Sequence, residues 1–214
     1  LFTNNHLRNL YTMFLHFTED SYEKALIGLF QEMGYEYAYG PDIERNYQEP
    51  YYLAQVWASL PIVNPSKHQN AIAEAVKKLT NIDSGDISQK NSVFMDYLQN
   101  GIPVAYHDGK EVRHDIVYLI DYEKPHRNTF QIINQWTYVE KSEKRADLIV
   151  FVNGLPLVLI ELKSPSREET DASAAYRQIR NYMFEIPSMF TYNAFCVMSD
   201  MMCSKAGTIT SSED

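Results

Sequence analysis

The stretch from Asp147 to Lys163 constrains the chain most. Leu148-Ile149-Val150-Phe151-Val152 and Leu155-Pro156-Leu157-Val158-Leu159-Ile160 flank Asn153-Gly154. Apolar runs of this length around an Asn-Gly pair predict two strands, buried on both faces and joined by a hairpin. Such strands do not readily carry charge, because an unpaired buried charge costs several kcal/mol. Yet Asp147 opens the first strand, and Glu161 and Lys163 close the second. A divalent metal would compensate. Two carboxylates suit Mg²⁺, which takes hard oxygen ligands and keeps several waters. A nearby ammonium could then position a nucleophile and stabilise developing negative charge, a set of roles suited to phosphodiester hydrolysis.

Register decides whether these groups can meet. With a strict two-residue turn and no irregularity, Asp147 opposes Ile160 and points away from Glu161. A three-residue loop, Val152-Asn153-Gly154, sets Asp147 diagonal to Glu161, so an odd-length loop or a bulge is expected. The acid-x-Lys pattern alone is weak. It recurs at Asp108-Gly109-Lys110, in a turn-like context that suits a solvated loop.

Elsewhere the texture is mixed. Apolar spacings of three and four predict helices over residues 1–18, 20–33, 51–60, 68–79, 88–99 and 170–185, with Pro61, Pro65 and Asp83-Ser84-Gly85 as separators and Pro187 after the last. Strands are expected over 103–106, 112–122, 130–140, 147–152, 157–163, 194–198 and 207–210. The fold class is therefore α/β. A helical lobe over about 51–100 precedes a catalytic sheet over about 101–211, and residues 1–214 are read as one domain. The chain of 214 residues has a formal charge of −9, which disfavours a general electrostatic grip on nucleic acid. Residues 1–140 hold eleven basic and eighteen acidic side chains, whereas residues 141–185 hold seven of each. Cys196 and Cys203 form neither a disulfide framework nor a zinc pattern, which suits a reducing, cytoplasmic setting. No apolar run is long enough to span a membrane, and no secretory leader is visible.

The segment from Phe151 to Pro165 resembles the nuclease motif of the R subunit of type I restriction-modification enzymes, in the PD-(D/E)xK superfamily. The resemblance extends to Asn134-Gln135-Trp136, to Asn100-Gly101-Ile102-Pro103-Val104 and to the helix from Glu23 to Gly34-Tyr35, covering about residues 18–210. It implies a restriction-endonuclease-like core, a mixed central sheet flanked by helices, with a helical insertion. It also implies that Asp147 and Glu161 coordinate Mg²⁺, that Lys163 is the catalytic lysine, and that Glu23 has a role as the first-helix acid. The proline that precedes the first aspartate in the family is Ala146 here; proline is no ligand.

Gln178 and Tyr182 match a Gln-x-x-x-Tyr element of that family, and as i and i+4 on a helix they share a face. The resemblance places them beside the site, in DNA handling. Arg145, Lys163, Arg177 and Arg180 are expected to form a phosphate-facing positive edge, with Arg167 on an ordinary surface. The implied substrate is double-stranded DNA, and the implied partners are specificity and methyltransferase subunits. ATP enters only through motor domains of the intact subunit: Gly109-Lys110 is the only Gly-Lys pair, with Val104 and Glu111 where a phosphate-binding loop needs Gly and Ser/Thr. Two alternatives stay open, a non-catalytic DNA-binding or assembly module of the same complex and a free-standing metal-dependent nuclease.

Overall fold

The computed structural model describes residues 18–83, 85–163, 172–199 and 204–212. The expected helix over 1–17, the Thr170-Asp171 helix start, Arg167 and Cys203 lie outside them. Helix α1 (Glu19–Glu32) begins at Thr18, which forms a capping box with Ser21. Strand β1 (Glu36–Tyr39) follows. Helices α2 (Leu53–Val63), α3 (Gln69–Thr80) and α4 (Ile87–Asn100) form the helical lobe. A two-stranded antiparallel hairpin, β2 (Ile102–His107) and β3 (Val112–Val117), packs with them. Then come β4 (Phe130–Val139), β5 (Glu143–Val152), β6 (Leu155–Leu162), α5 (Ala172–Glu185), α6 (Pro187–Thr191), β7 (Phe195–Ser199) and β8 (Ser204–Gly207).

Six strands form one mixed sheet in the order β1-β4-β5-β6-β7-β8. The β1–β4 and β6–β7 pairs are parallel and the others antiparallel. Alternation along the central strands sorts most of their side chains to opposite faces. Ile132, Leu148, Val150 and Ile160 pack with Ile27 of α1. Ile133, Ile149, Phe151 and Leu159 pack with Ile179, Tyr182 and Phe190 from α5 and α6. Each such fully buried side chain contributes about 1.5–3 kcal/mol. A third cluster joins α2, α3, α4 and the hairpin to Val152, Leu155 and Leu157, at the turn end of β5 and β6.

Several boundaries differ from expectation, for local reasons. Pro61 lies inside α2 rather than ending it, since a proline near the helix end removes a single hydrogen bond. Strand β3 stops at Val117 because the Tyr118 N–H donates to Asn64 Oδ1 at 2.8 Å instead of to a ladder partner. The last strand is Ser204–Gly207, because Thr208 turns away by donating to Ser211 Oγ at 2.9 Å. Pro187 opens a further short helix at its first position. Asn91 ties the layers together, its amide lying 2.7–3.2 Å from the carbonyls of Phe190, Thr191 and Asn193.

Candidate active site

The hairpin at Asn153-Gly154 meets the register condition in its bulge form. Its turn has only two residues, with φ of 52° and 82°. Val152 pairs with Leu155 and Phe151 with Pro156, but Val150 pairs with Val158, so Leu157 is an extra residue in β6. Beyond the bulge Leu148 pairs with Ile160, and continuing that register sets Asp147 directly opposite Glu161. The diagonal arrangement expected from a three-residue loop is not found: the bulge supplies the extra residue inside the strand.

Asp147, Glu161, Lys163, Gln178, Tyr182, Glu23 and Arg145 line one cleft of about 840 Å³, together with Asn134, Gln135, Tyr37 and Tyr39. Glu161 is 1% exposed. Its Oε1 accepts from Lys163 Nζ at 2.8 Å and from Gln178 Nε2, while its Oε2 has no partner among the described residues. Burial first, and the Asp147 charge second, push its carboxyl up to about 8. Asp147 Oδ2 accepts the Leu162 N–H at 2.8 Å, leaving its other oxygen toward the cleft. Lys163 Nζ also donates to Leu162 O at 2.9 Å. Gln178 Nε2 reaches Tyr182 Oη at 3.0 Å, and that hydroxyl donates to Arg145 O at 3.2 Å. Burial pushes the Tyr182 phenol up to about 12, so it stays a donor.

Two expected cations are elsewhere. Arg180 does not face the cleft; it reaches toward Ile209 O at 3.5 Å and lines a separate cavity with Lys205. On a helix it stands two residues from Gln178, about 200° around the axis, so the side that aims Gln178 and Tyr182 inward turns Arg180 away. Arg177 is exposed and absent from the cleft lining. The positive edge is reduced to Arg145 and Lys163, with Lys24 across the cleft.

Sequence reasoning assigned no site role to Asn134, Gln135, Tyr37 or Tyr39. The available signal was the pair of consecutive amides Asn134-Gln135, set between Ile132-Ile133 and Trp136. Asn134 Nδ2 and Gln135 Nε2 donate to the two oxygens of Glu23 at 2.6 and 2.9 Å, and Tyr37 Oη donates to Asn134 Oδ1 at 3.1 Å.

Residues 16–214 match the family model described as the type I restriction enzyme R protein N terminus. The chain belongs to this family. It is 32% identical over 202 residues to the type I restriction enzyme HindI endonuclease subunit of Haemophilus influenzae, covering 90% of this chain and 19% of that protein. It is 31% identical, with the same coverage, to the putative type I restriction enzyme MjaIXP endonuclease subunit of Methanocaldococcus jannaschii. This member of the R protein N-terminal family therefore spans about a fifth of the length of these relatives.

The donor set fits a hard divalent cation. Glu161 Oε2 is buried without a hydrogen-bond partner among the described residues, and Asp147 lines the same cleft, close enough for its charge to raise the Glu161 carboxyl. Among the described residues no three His, Cys, Asp or Glu side chains converge as a metal group. Two carboxylates suffice for Mg²⁺, which keeps water in its remaining positions.

Proposed function

We propose that this chain is the Mg²⁺-dependent endonuclease domain of a type I restriction enzyme R subunit. It hydrolyses phosphodiester bonds of double-stranded DNA after ATP-driven translocation by domains outside it. The observation that carries this reading is the convergence of Asp147, the 1%-exposed Glu161 and Lys163 on one cleft, where the Asp147 charge helps to raise the Glu161 carboxyl and Lys163 Nζ donates to Glu161 Oε1. Two acids held this close repel when both are ionised, and a bound divalent cation would relieve that repulsion.

Asp147 and Glu161 would hold the metal, which when bound would supply polarisation of a phosphoryl oxygen and a more acidic water. Lys163, held at Glu161 by a 2.8 Å contact, is placed to offer a positive charge to the phosphorane as negative charge builds on its oxygens. Gln178 donates to Glu161 Oε1, and Tyr182 anchors Gln178 to the β5 backbone. Arg145 and Lys24 line the cleft as contacts for the DNA phosphates, which carry no sequence information. The acidic balance of the first 140 residues suits contacts with the specificity and methyltransferase subunits rather than with DNA. The setting is the cytoplasm of a bacterium or archaeon; among the described residues no helix is long and apolar enough to cross a membrane.

The test is Mg²⁺-dependent nicking by the full-length polypeptide, reconstituted with its partner subunits and ATP. Lys163→Ala should lower nicking by at least about 10²-fold. Nicking that survives the substitution overturns the assignment and favours a non-catalytic assembly role.

A further inference from the structure

Strand β4 contains a backbone feature that the chemistry above leaves unused. Gln135 has φ of 54°, in the left-handed region, in the middle of β4, one residue beyond Asn134, the last to pair with β1. A non-glycine residue held there costs about 1–3 kcal/mol and persists only where surrounding structure demands it. The pairing on either side is unshifted, Asn134 with Leu148 and Trp136 with Ala146, so the rung between them sets Gln135 opposite Asp147.

Two observations show what the kink does to side-chain direction. Neighbouring strand residues normally point to opposite faces, yet Asn134 and Gln135 both donate to the Glu23 carboxylate. Ile133 and Trp136 are three apart, an odd spacing, yet both pack in the same core cluster. One break in alternation accounts for both. Gly40 makes room for it: a Cβ there would lie 2.7 Å from Asn134 O and 2.9 Å from Gln135 O, contacts that real Cβ atoms essentially never make.

We propose that Gln135 is a positioning residue of the carboxylate cleft: its left-handed backbone, accommodated by Gly40, turns its amide onto Glu23 at the rung occupied by Asp147. Gln135 acts through Glu23 and touches no reacting atom. With Asn134 it donates one hydrogen bond to each Glu23 oxygen and so fixes the rotamer of a flexible side chain on α1. Glu23 is thereby held on the wall facing Asp147, across a junction between helix and sheet that would otherwise leave it free to swing into solvent.

Two experiments test this, and only the second rests on the nuclease reading. In the first, a crystal structure of Gln135→Gly, which tolerates the left-handed backbone but lacks the amide, is compared with that of the unsubstituted protein. Glu23 should leave its position on Asn134; a Glu23 side chain that stays in place overturns the proposal. The second is a double-mutant cycle on nicking by the full-length polypeptide. Gln135→Gly alone should slow nicking about 10- to 100-fold, yet should add nothing in a Glu23→Gln background. Gln135→Asn, which keeps an amide and favours the left-handed region, should restore part of the loss. Equal losses in both backgrounds would show that Gln135 does not act through Glu23, and would overturn the proposal. If the unsubstituted polypeptide does not nick, the nuclease reading fails, and the crystallographic comparison still decides whether Gln135 positions Glu23.

Discussion

The backbone N–H of Leu162 donates to Asp147 Oδ2 at 2.8 Å, so the first carboxylate of the cleft is tied to the strand that carries the second. Asp147 thus has a structural task alongside its proposed chemical one, and substitutions should separate them. Asp147→Asn keeps an acceptor for Leu162 and should melt close to the unsubstituted protein while losing nicking. Asp147→Ala strands the N–H and should lose about 1–3 kcal/mol of stability as well. Thermal denaturation beside a nicking assay distinguishes the two; equal melting of both variants would mean that the hydrogen bond contributes nothing.

Glu161 predicts an inverted pH dependence. Its carboxyl is raised in the fold to about 8 from its ordinary value of 4.5, mainly by burial. Between those values the folded state holds a proton that the unfolded chain has released, so this group's contribution to stability is full below about pH 4.5 and is lost as pH rises toward 8. In EDTA the melting temperature should fall across that window, and Glu161→Gln should flatten the slope. Saturating Mg²⁺ should flatten it too, since metal binding displaces the proton. A slope that persists in Glu161→Gln would assign the dependence to other groups.

The Tyr182 hydroxyl accepts from Gln178 and donates to Arg145 O. Tyr182→Phe should therefore cost about 0.5–1.5 kcal/mol in stability and lower nicking less than Lys163→Ala does. Arg180→Ala, in contrast, should leave nicking within about twofold, because its guanidinium lies in a different cavity. Loss of nicking in Arg180→Ala at unchanged DNA affinity would contradict the geometry.

Gly154 combines φ of 82° with a site for Cβ only 2.6 Å from Tyr52 O and 2.7 Å from Val56 N. Gly154→Ala should destabilise by about 2–5 kcal/mol, adding left-handed strain to overpacking against the start of α2. Urea denaturation measures this directly.

Much of this was legible in the amino-acid order because periodicity and charge are local signals. Leu148–Val152 and Leu155–Ile160 declare buried strands, and Asp147, Glu161 and Lys163 stand out against them. The need for an odd-length loop or a bulge followed from counting residues, although the choice of a bulge and its place at Leu157 did not. Less legible were features set by partners distant in sequence. Strand β3 ends where Asn64 intervenes from 54 residues away. Arg180 was misplaced because charge counting ignores helical phase. The left-handed Gln135 was hidden because its cause, the bare Cα of Gly40, belongs to a neighbouring strand's exit and not to β4 itself.

Asn91 gives the fold a mechanical property. Its amide grips the Phe190, Thr191 and Asn193 carbonyls, and the Asn193 amide in turn reaches Leu157 O at 3.3 Å and Phe195 O at 3.0 Å. Helix α4, the loop before β7 and the strand that bears Glu161 are therefore joined in series by two side-chain amides. A load applied to the helical lobe is delivered at the bulge in β6, a few residues from the cleft, without first being absorbed by a slack connection.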